Sequence, residues 1–154
     1  MRKFIGKTQE EALNNAAAEL NVPVENIYIE SVEEIKKGLF GLVKNIEVTC
    51  YTDAMIVEFV QEYLKNIIES MGIEVTITPN YSDGLIKLKI TTNHNSILIG
   101  KDGETLQALN EICRCAANAT FKKRVRVLLD INDYKQDKYS KLISIAKREA
   151  VKVS

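Results

Sequence analysis

Apolar positions along this chain switch between periods of two and of about 3.6, with turn residues at each switch. Lys3-Phe4-Ile5 predicts a short strand. Thr8 and Glu11 stand at capping-box spacing, and Ala12, Leu13, Ala16, Ala17 and Leu20 trace one face of a helix that Asn21 and Pro23 end. Ile27 to Ile29, then Ile46, Val48 and Cys50, predict two more strands; between them Lys36-Lys37-Gly38-Leu39-Phe40-Gly41 holds a bulky apolar pair between glycines. From about Ala54 to Met71 the positions Ile56, Val60, Tyr63, Ile67 and Met71 recur at helical spacing, with Val57, Leu64 and Ile68 widening the stripe and Thr52 or Asp53 as cap. Ile73, Val75 and Ile77 alternate with Glu74, Thr76 and Thr78 as a strand. Pro79 to Gly84 carries dense turn chemistry. Ile86, Leu88 and Ile90 then alternate against Lys87 and Lys89 as a half-buried strand.

The run Ile97-Leu98-Ile99-Gly100-Lys101-Asp102-Gly103-Glu104-Thr105-Leu106 carries the most chemistry. Two glycines three apart let a backbone approach a ligand with no Cβ in the way. Gly103 opens a helix marked by Leu106, Leu109, Cys113 and Ala117, so unpaired N–H groups and the positive dipole end face the turn, a setting that suits an anion. Val125 to Ile131 predicts a closing strand rich in β-branched residues. Strand, short helix, Gly-x-x-Gly, helix, strand is the minimal KH core, in which such a loop clamps a four-nucleotide single strand. A helix and strand placed before that core resemble the bacterial type II arrangement.

Thr8-Gln9-Glu10-Glu11-Ala12, Lys37-Gly38-Leu39-Phe40-Gly41 and Ile99-Gly100-Lys101-Asp102-Gly103-Glu104-Thr105-Leu106-x-x-Leu109 together resemble the Jag family, also called SpoIIIJ-associated or KhpB proteins. The resemblance covers nearly the whole chain. It implies an α+β chain: a small N-terminal αβ domain over residues 1–50, then a type II KH domain over 51–133 with a three-stranded sheet and helices on one face. A basic amphipathic helix over 134–154 follows. It also implies a non-catalytic, cytoplasmic bacterial RNA-binding protein, linked to cell envelope growth or division, that pairs with a small second KH protein. Such proteins end with a further nucleic-acid-binding domain marked by Arg-x-x-x-His. That motif is missing from this sequence. Residues 134–153 resemble the helix leading into that domain, so the sequence is either a shortened form or part of a longer chain.

Composition changes this picture little. The apolar fraction of 45% and charged fraction of 27% are those of an ordinary soluble globular protein. No run approaches the ~20 apolar residues that cross a bilayer, and the polar Thr8 to Glu11 rules out a signal peptide's apolar region. Membrane insertion is therefore not expected, and the cytoplasm is the default. Charge matters more, because the total is zero whereas nucleic-acid binders often carry a basic surplus. By segment, residues 1–50 hold 6 basic and 8 acidic side chains, 51–133 hold 9 and 11, and 134–154 hold 6 and 2. Lys122, Lys123, Arg124 and Arg126 crowd one strand end, and uneven distribution is what steers a ligand. That cluster is either an RNA footprint or a solvated basic edge.

The predicted RNA site is thus Ile97, Ile99, Gly100, Lys101, Asp102, Gly103 and Leu106, with Lys122, Lys123 and Arg124 as its basic margin. Tyr81 either stacks on a base from the preceding turn or is an ordinary exposed aromatic. Lys101 attracts a phosphate and Asp102 repels it, so backbone amides supply most of the grip. Binding through about two or three phosphates should weaken about ten- to twentyfold between 50 and 200 mM salt. Leu39 and Phe40 either anchor a partner or tuck into their own core. The terminal stripe Tyr139, Leu142, Ile143, Ala146 and Ala150, opposite Lys135, Lys138, Lys141, Lys147, Arg148 and Lys152, has to pack on the KH unit or on another chain, a homodimer being one outcome.

Catalytic chemistry finds no constellation. The single His94 lies in Thr91 to Ser96, a capping segment, with no Cys or second His at metal-ligand spacing. Cys50, Cys113 and Cys115 are an odd count and read as reduced, mostly buried thiols. Neither cofactor nor metal is expected. A protein-interaction adaptor is the competing function class.

Overall fold

A computed structural model describes residues 1–41, 43–132 and 134–152. Asp133 and Val153 of the predicted elements lie outside the described residues. So do the side chains of Lys37, Lys135, Lys138, Tyr139 and Lys152. The chain divides into two compact units, Met1–Glu58 and Phe59–Ser154.

In the first unit, strand β1 (Arg2–Gly6), helix α1 (Gln9–Leu20) and the strands β2 (Tyr28–Lys37) and β3 (Val43–Tyr51) form an antiparallel sheet of order β1-β3-β2 with α1 against it. The Thr8 half of the capping box forms, its hydroxyl accepting from Glu11 N–H at 3.2 Å, while Glu11 Oε2 reaches one residue further back and accepts from Lys7 N–H at 2.8 Å. Asn21 ends α1 in the left-handed conformation. Phe4, Ala12, Ala16, Ile27, Val48 and Cys50 make the core. β2 runs well past the Ile27–Ile29 stretch that the sequence marks. Its outer half is a ribbon with β3, with Lys44 and Glu34 3.3 Å apart across it, and residues 32–34 are exposed, so alternation gives no sign of it.

Helix α2 (Asp53–Ser70) leads into the second unit, with Thr52 Oγ1 accepting from Met55 N–H at 3.4 Å. Strands β4 (Thr76–Ser82), β5 (Leu85–Thr91) and β6 (Arg126–Ile131) form a sheet of order β4-β5-β6, with β4 antiparallel and β6 parallel to the central β5. That parallel pair requires a crossover, supplied by α3 (Asn95–Ile99), the glycine turn and α4 (Glu104–Thr120). This is the type II order that the sequence predicts. Ile86, Leu88, Ile90, Val127, Leu129 and Ile131 point to the helix face, where Leu64, Ile68, Leu98, Leu106, Leu109 and Cys113 are buried.

One predicted turn is a strand. Pro79 to Ser82 extends β4, and the turn is only Asp83-Gly84, both at positive φ (50° and 70°), which suits a two-residue hairpin. Pro79 is tolerated because β4 is an edge strand.

Helix α5 (Tyr134–Lys152) follows β6. Ser140 to Val151 are exposed throughout, Leu142 and Ile143 by 53% and 56%. The described members of its apolar stripe, Leu142, Ile143, Ala146 and Ala150, are thus all exposed. No helix among them is long and apolar enough to cross a membrane.

Candidate nucleic-acid interface

The parallel connection dictates where the glycine turn stands. β5 and β6 run in the same direction, so α3 and the turn sit beyond the C-terminal end of β5, and α4 returns along the sheet. The turn is tight for a specific reason. Gly100 has φ +70° and ψ −177°, and a Cβ on it would lie 2.2 Å from Thr105 Oγ1, 2.9 Å from Thr105 Cβ and 3.0 Å from the Thr105 backbone N. Only glycine fits between α3 and the first turn of α4. Asp102 (φ 53°) and Gly103 (φ 88°) complete the reversal in the left-handed region, which Asp tolerates better than most side chains.

The turn also engages some of its own amides. Gly100 N–H donates to Ser96 O at 3.0 Å, Gly103 N–H to Gly100 O at 3.4 Å, and Glu104 N–H to Lys101 O. Outward it presents exposed Lys101 and Asp102 between half-buried Gly100 and Gly103. Beside it Ile97 is 51% exposed and Ile99 half-buried, whereas Leu98 and Leu106 (3%) are core. Leu106 therefore supports the turn from beneath and offers little surface to a base.

The remaining predicted residues stand elsewhere. Lys122, Lys123 and Arg124 follow the C-terminal end of α4, whose 17 residues at about 1.5 Å each put them about 25 Å from the turn. Tyr81 is in β4, paired with Ile86 near the start of β5, and so belongs to that far end; it is 40% exposed. Arg126 bonds the Asp83 carbonyl of the hairpin turn. Arg114 is held by Glu111 through two hydrogen bonds, 3.2 and 2.5 Å, which raise the guanidinium's pKa and lower the carboxyl's. His94 precedes α3, and it is Thr92 Oγ1 that accepts from His94 N–H, at 3.3 Å. In the first unit, Leu39 and Phe40 are 79% and 91% exposed, and Phe40 holds φ +61°. A shallow apolar trough of about 440 Å³ lies along α2 and α4, lined by Tyr63, Glu111, Ile112, Cys115, Ala116 and Ala119.

Several organising residues give no sequence signal of their role. Asn118 accepts from Val125 N–H at 2.8 Å and donates to Val125 O at 3.0 Å and Arg114 O at 2.8 Å, fixing the basic segment between α4 and β6. Asn110 Oδ1 accepts from Leu129 N–H at 2.8 Å and ties α4 to the sheet. Thr105 fills the space that Gly100 leaves empty. An Asn on the inner half of an amphipathic stripe is the one visible cue, and it does not say what is bonded.

With this geometry in place, two family models match the chain in series: the Jag N-terminus over residues 4–50 and the KhpA/KhpB KH domain over residues 57–129. Among curated proteins, the RNA-binding protein KhpB of Clostridium symbiosum is 27% identical over 150 residues, covering 96% of this chain and 68% of that protein. The KhpB of Streptococcus pneumoniae serotype 2 is 27% identical over 144 residues, 94% of this chain and 42% of its own length. The KhpB of Bacillus subtilis is 26% identical over 143 residues, 92% of this chain and 69% of its own. The chain thus spans about two thirds of two of these relatives and less than half of the third. They are named as RNA-binding proteins, and the KH family they share is not an enzyme family. A Jag N-terminus followed by a type II KH sheet, with relatives along nearly its whole length, makes this chain a member of the Jag/KhpB family.

Proposed function

We propose that this chain binds single-stranded RNA through the Gly100–Gly103 turn, as a non-enzymatic cytoplasmic regulator of bacterial cell envelope growth or division. The observation that carries this reading is a glycine turn with exposed Lys101 and Asp102 at the mouth of a 17-residue helix, inside a stretch that matches the KhpA/KhpB KH domain. Amides and Lys101 hold a phosphate, and Ile97 with the edge of Ile99 takes a base. Lys122, Lys123 and Arg124 add charge where the strand leaves along α4, and Tyr81 lies at that same end. Crosslinking to short single-stranded RNA tests this directly. Lys101→Asp should abolish it while the circular dichroism spectrum is unchanged, because Lys101 is exposed. Crosslinking that persists in this variant removes the loop from the reading.

A second reading has its own observation. Leu39 and Phe40 stand 79% and 91% exposed at a hairpin tip, which suits an adaptor that docks a small second KH protein or a second copy of this chain. Changing both to Ser should then abolish the complex in sedimentation velocity and leave RNA crosslinking intact. The opposite pattern removes this second reading.

A further inference from the structure

Tyr134, the first residue of α5, stands against the glycine turn although it is 31 positions away in sequence. Its Cε1 and hydroxyl lie 3.6 and 3.8 Å from the point that a Cβ on Gly103 would occupy. The chain arrives there through a corner that is tied down. Asn132 takes φ +43°, its N–H donates to Ile90 O at 3.2 Å, and its Nδ2 reaches Asn95 Oδ1 at 3.0 Å and Thr92 O at 3.4 Å. The end of β5, the start of α3 and the corner after β6 are thereby joined. The two glycines accordingly have different neighbours: the bare side of Gly100 meets Thr105 and that of Gly103 meets the Tyr134 ring.

We infer that Tyr134 is a nucleotide-contacting residue. Its ring forms one wall of the turn's mouth and stacks on the base or sugar of the nucleotide whose phosphate lies at Gly100–Gly103. This rests on the RNA-binding reading above. Three observations support it. Lys101 and Asp102 partly offset each other in charge, and Gly103 and Glu104 donate their amides inside the turn, so fewer amides are left to hold a phosphate and a further contact adds to the grip. Leu106 is buried and leaves Ile97 as the main apolar surface on the α3 side. Tyr134 is half-buried and its ring edge lies against Gly103, so its side chain is partly covered yet still accessible at the turn. A π face accepts any base, which suits a site whose backbone contacts carry no sequence information.

The test uses the full chain, fluorescence anisotropy with a labelled oligouridine eight-mer, and a set of the same oligomer with one abasic position moved along it. Tyr134→Ala and Tyr134→Leu should each bind about tenfold more weakly, in the range found for removing a base-stacking aromatic. Tyr134→Phe should stay within about twofold of wild type. At one abasic position wild type should lose about tenfold while Tyr134→Ala loses nothing further, because the partner of the ring is already gone. Salt dependence should be the same in wild type and Tyr134→Ala. Equal or tighter binding by Tyr134→Ala overturns the inference, as does a Phe variant that falls with Ala, or losses that simply add at every abasic position, the mark of a prop for the turn. Lys101→Asp is run alongside. If it abolishes binding while Tyr134→Ala does not weaken it, only the Tyr134 inference fails. If wild type does not bind the oligomer at all, the RNA reading fails and takes this inference with it.

Discussion

Gly100 and Gly103 open and close the same turn, yet alanine at the two positions should have unequal effects. At Gly100 the backbone sits at φ +70° and ψ −177°, a region occupied essentially by glycine alone, where a side chain costs about 1–3 kcal/mol. The new Cβ would also meet Thr105 Oγ1 at 2.2 Å, its Cβ at 2.9 Å and its backbone N at 3.0 Å. Rotating Thr105 about χ1 moves the hydroxyl but neither of the other two atoms. The turn itself has to shift, and an overpacking of this kind costs about 1–3 kcal/mol more. The total, about 2–6 kcal/mol, is a large part of the 5–15 kcal/mol that typically holds a small domain. Gly103 at φ +88° and ψ 13° lies in the ordinary left-handed region, where a Cβ costs about 1–2 kcal/mol. Its nearest neighbour, Tyr134 Cε1 at 3.6 Å, is at van der Waals distance. Urea unfolding followed by far-ultraviolet circular dichroism should therefore rank the variants, with Gly100→Ala at least about 1 kcal/mol less stable than Gly103→Ala. Adding Thr105→Ala to Gly100→Ala removes the closest contact and should recover about 1 kcal/mol as coupling. Equal losses at the two glycines, or a Gly100→Ala loss under about 1 kcal/mol, would refute the idea that Thr105 packing fixes the turn.

Three further expectations follow from burial and backbone geometry. Burial pushes the Cys113 thiol up to about 11 and raises that of Cys50, whereas Cys115 is exposed; Ellman's reagent at pH 8 should modify one thiol rapidly in the native protein and all three after denaturation, and two fast native thiols would contradict this. The folded state keeps Cys113 protonated where the unfolded chain ionises near 9.0, so that contribution to stability is complete below about pH 9 and lost as pH rises toward about 11; urea midpoints unchanged between pH 8 and 10.5 would contradict it. Phe40 holds φ +61° at 91% exposure, so Phe40→Gly relieves left-handed strain without loss of packing and should raise stability by about 0.5–1 kcal/mol. A destabilised Phe40→Gly would mean that the aromatic ring is held by contacts in the free protein.

How much could be seen in advance depends on whether a residue's role is local. The period-two run of β5 and the stripe Leu106, Leu109, Cys113 and Ala117 predict their elements because each has one buried face, and β6 shows through its β-branched residues. Thr8 and Glu11 predict a cap because both partners lie within one turn. The outer part of β2 has exposed residues where a buried face would leave its alternation, and the β4 extension hides behind Pro79, Asn80 and Ser82, residues that ordinarily mark turns. The glycine turn shows in sequence through its two glycines; what fills the space beside each does not.

Thr105 is the second residue of α4, indistinguishable in sequence from a helix residue of no consequence, and its packing on Gly100 follows only from how α3 meets α4. Tyr134 reaches Gly103 because a parallel β5–β6 pair delivers the end of β6 to the same edge of the sheet as the end of β5. The same topology sends α4 the other way, which separates Lys122, Lys123 and Arg124 from the turn by about 25 Å. Handed only the residues, one sees a glycine turn and a basic cluster and joins them into one site. Strand direction decides instead that an aromatic from a later helix stands at the turn and that the lysines stand at the opposite end. A ligand gripped at the turn has therefore to extend the length of α4 before it meets the basic cluster, and this favours a single strand of several nucleotides over a mononucleotide as the thing bound.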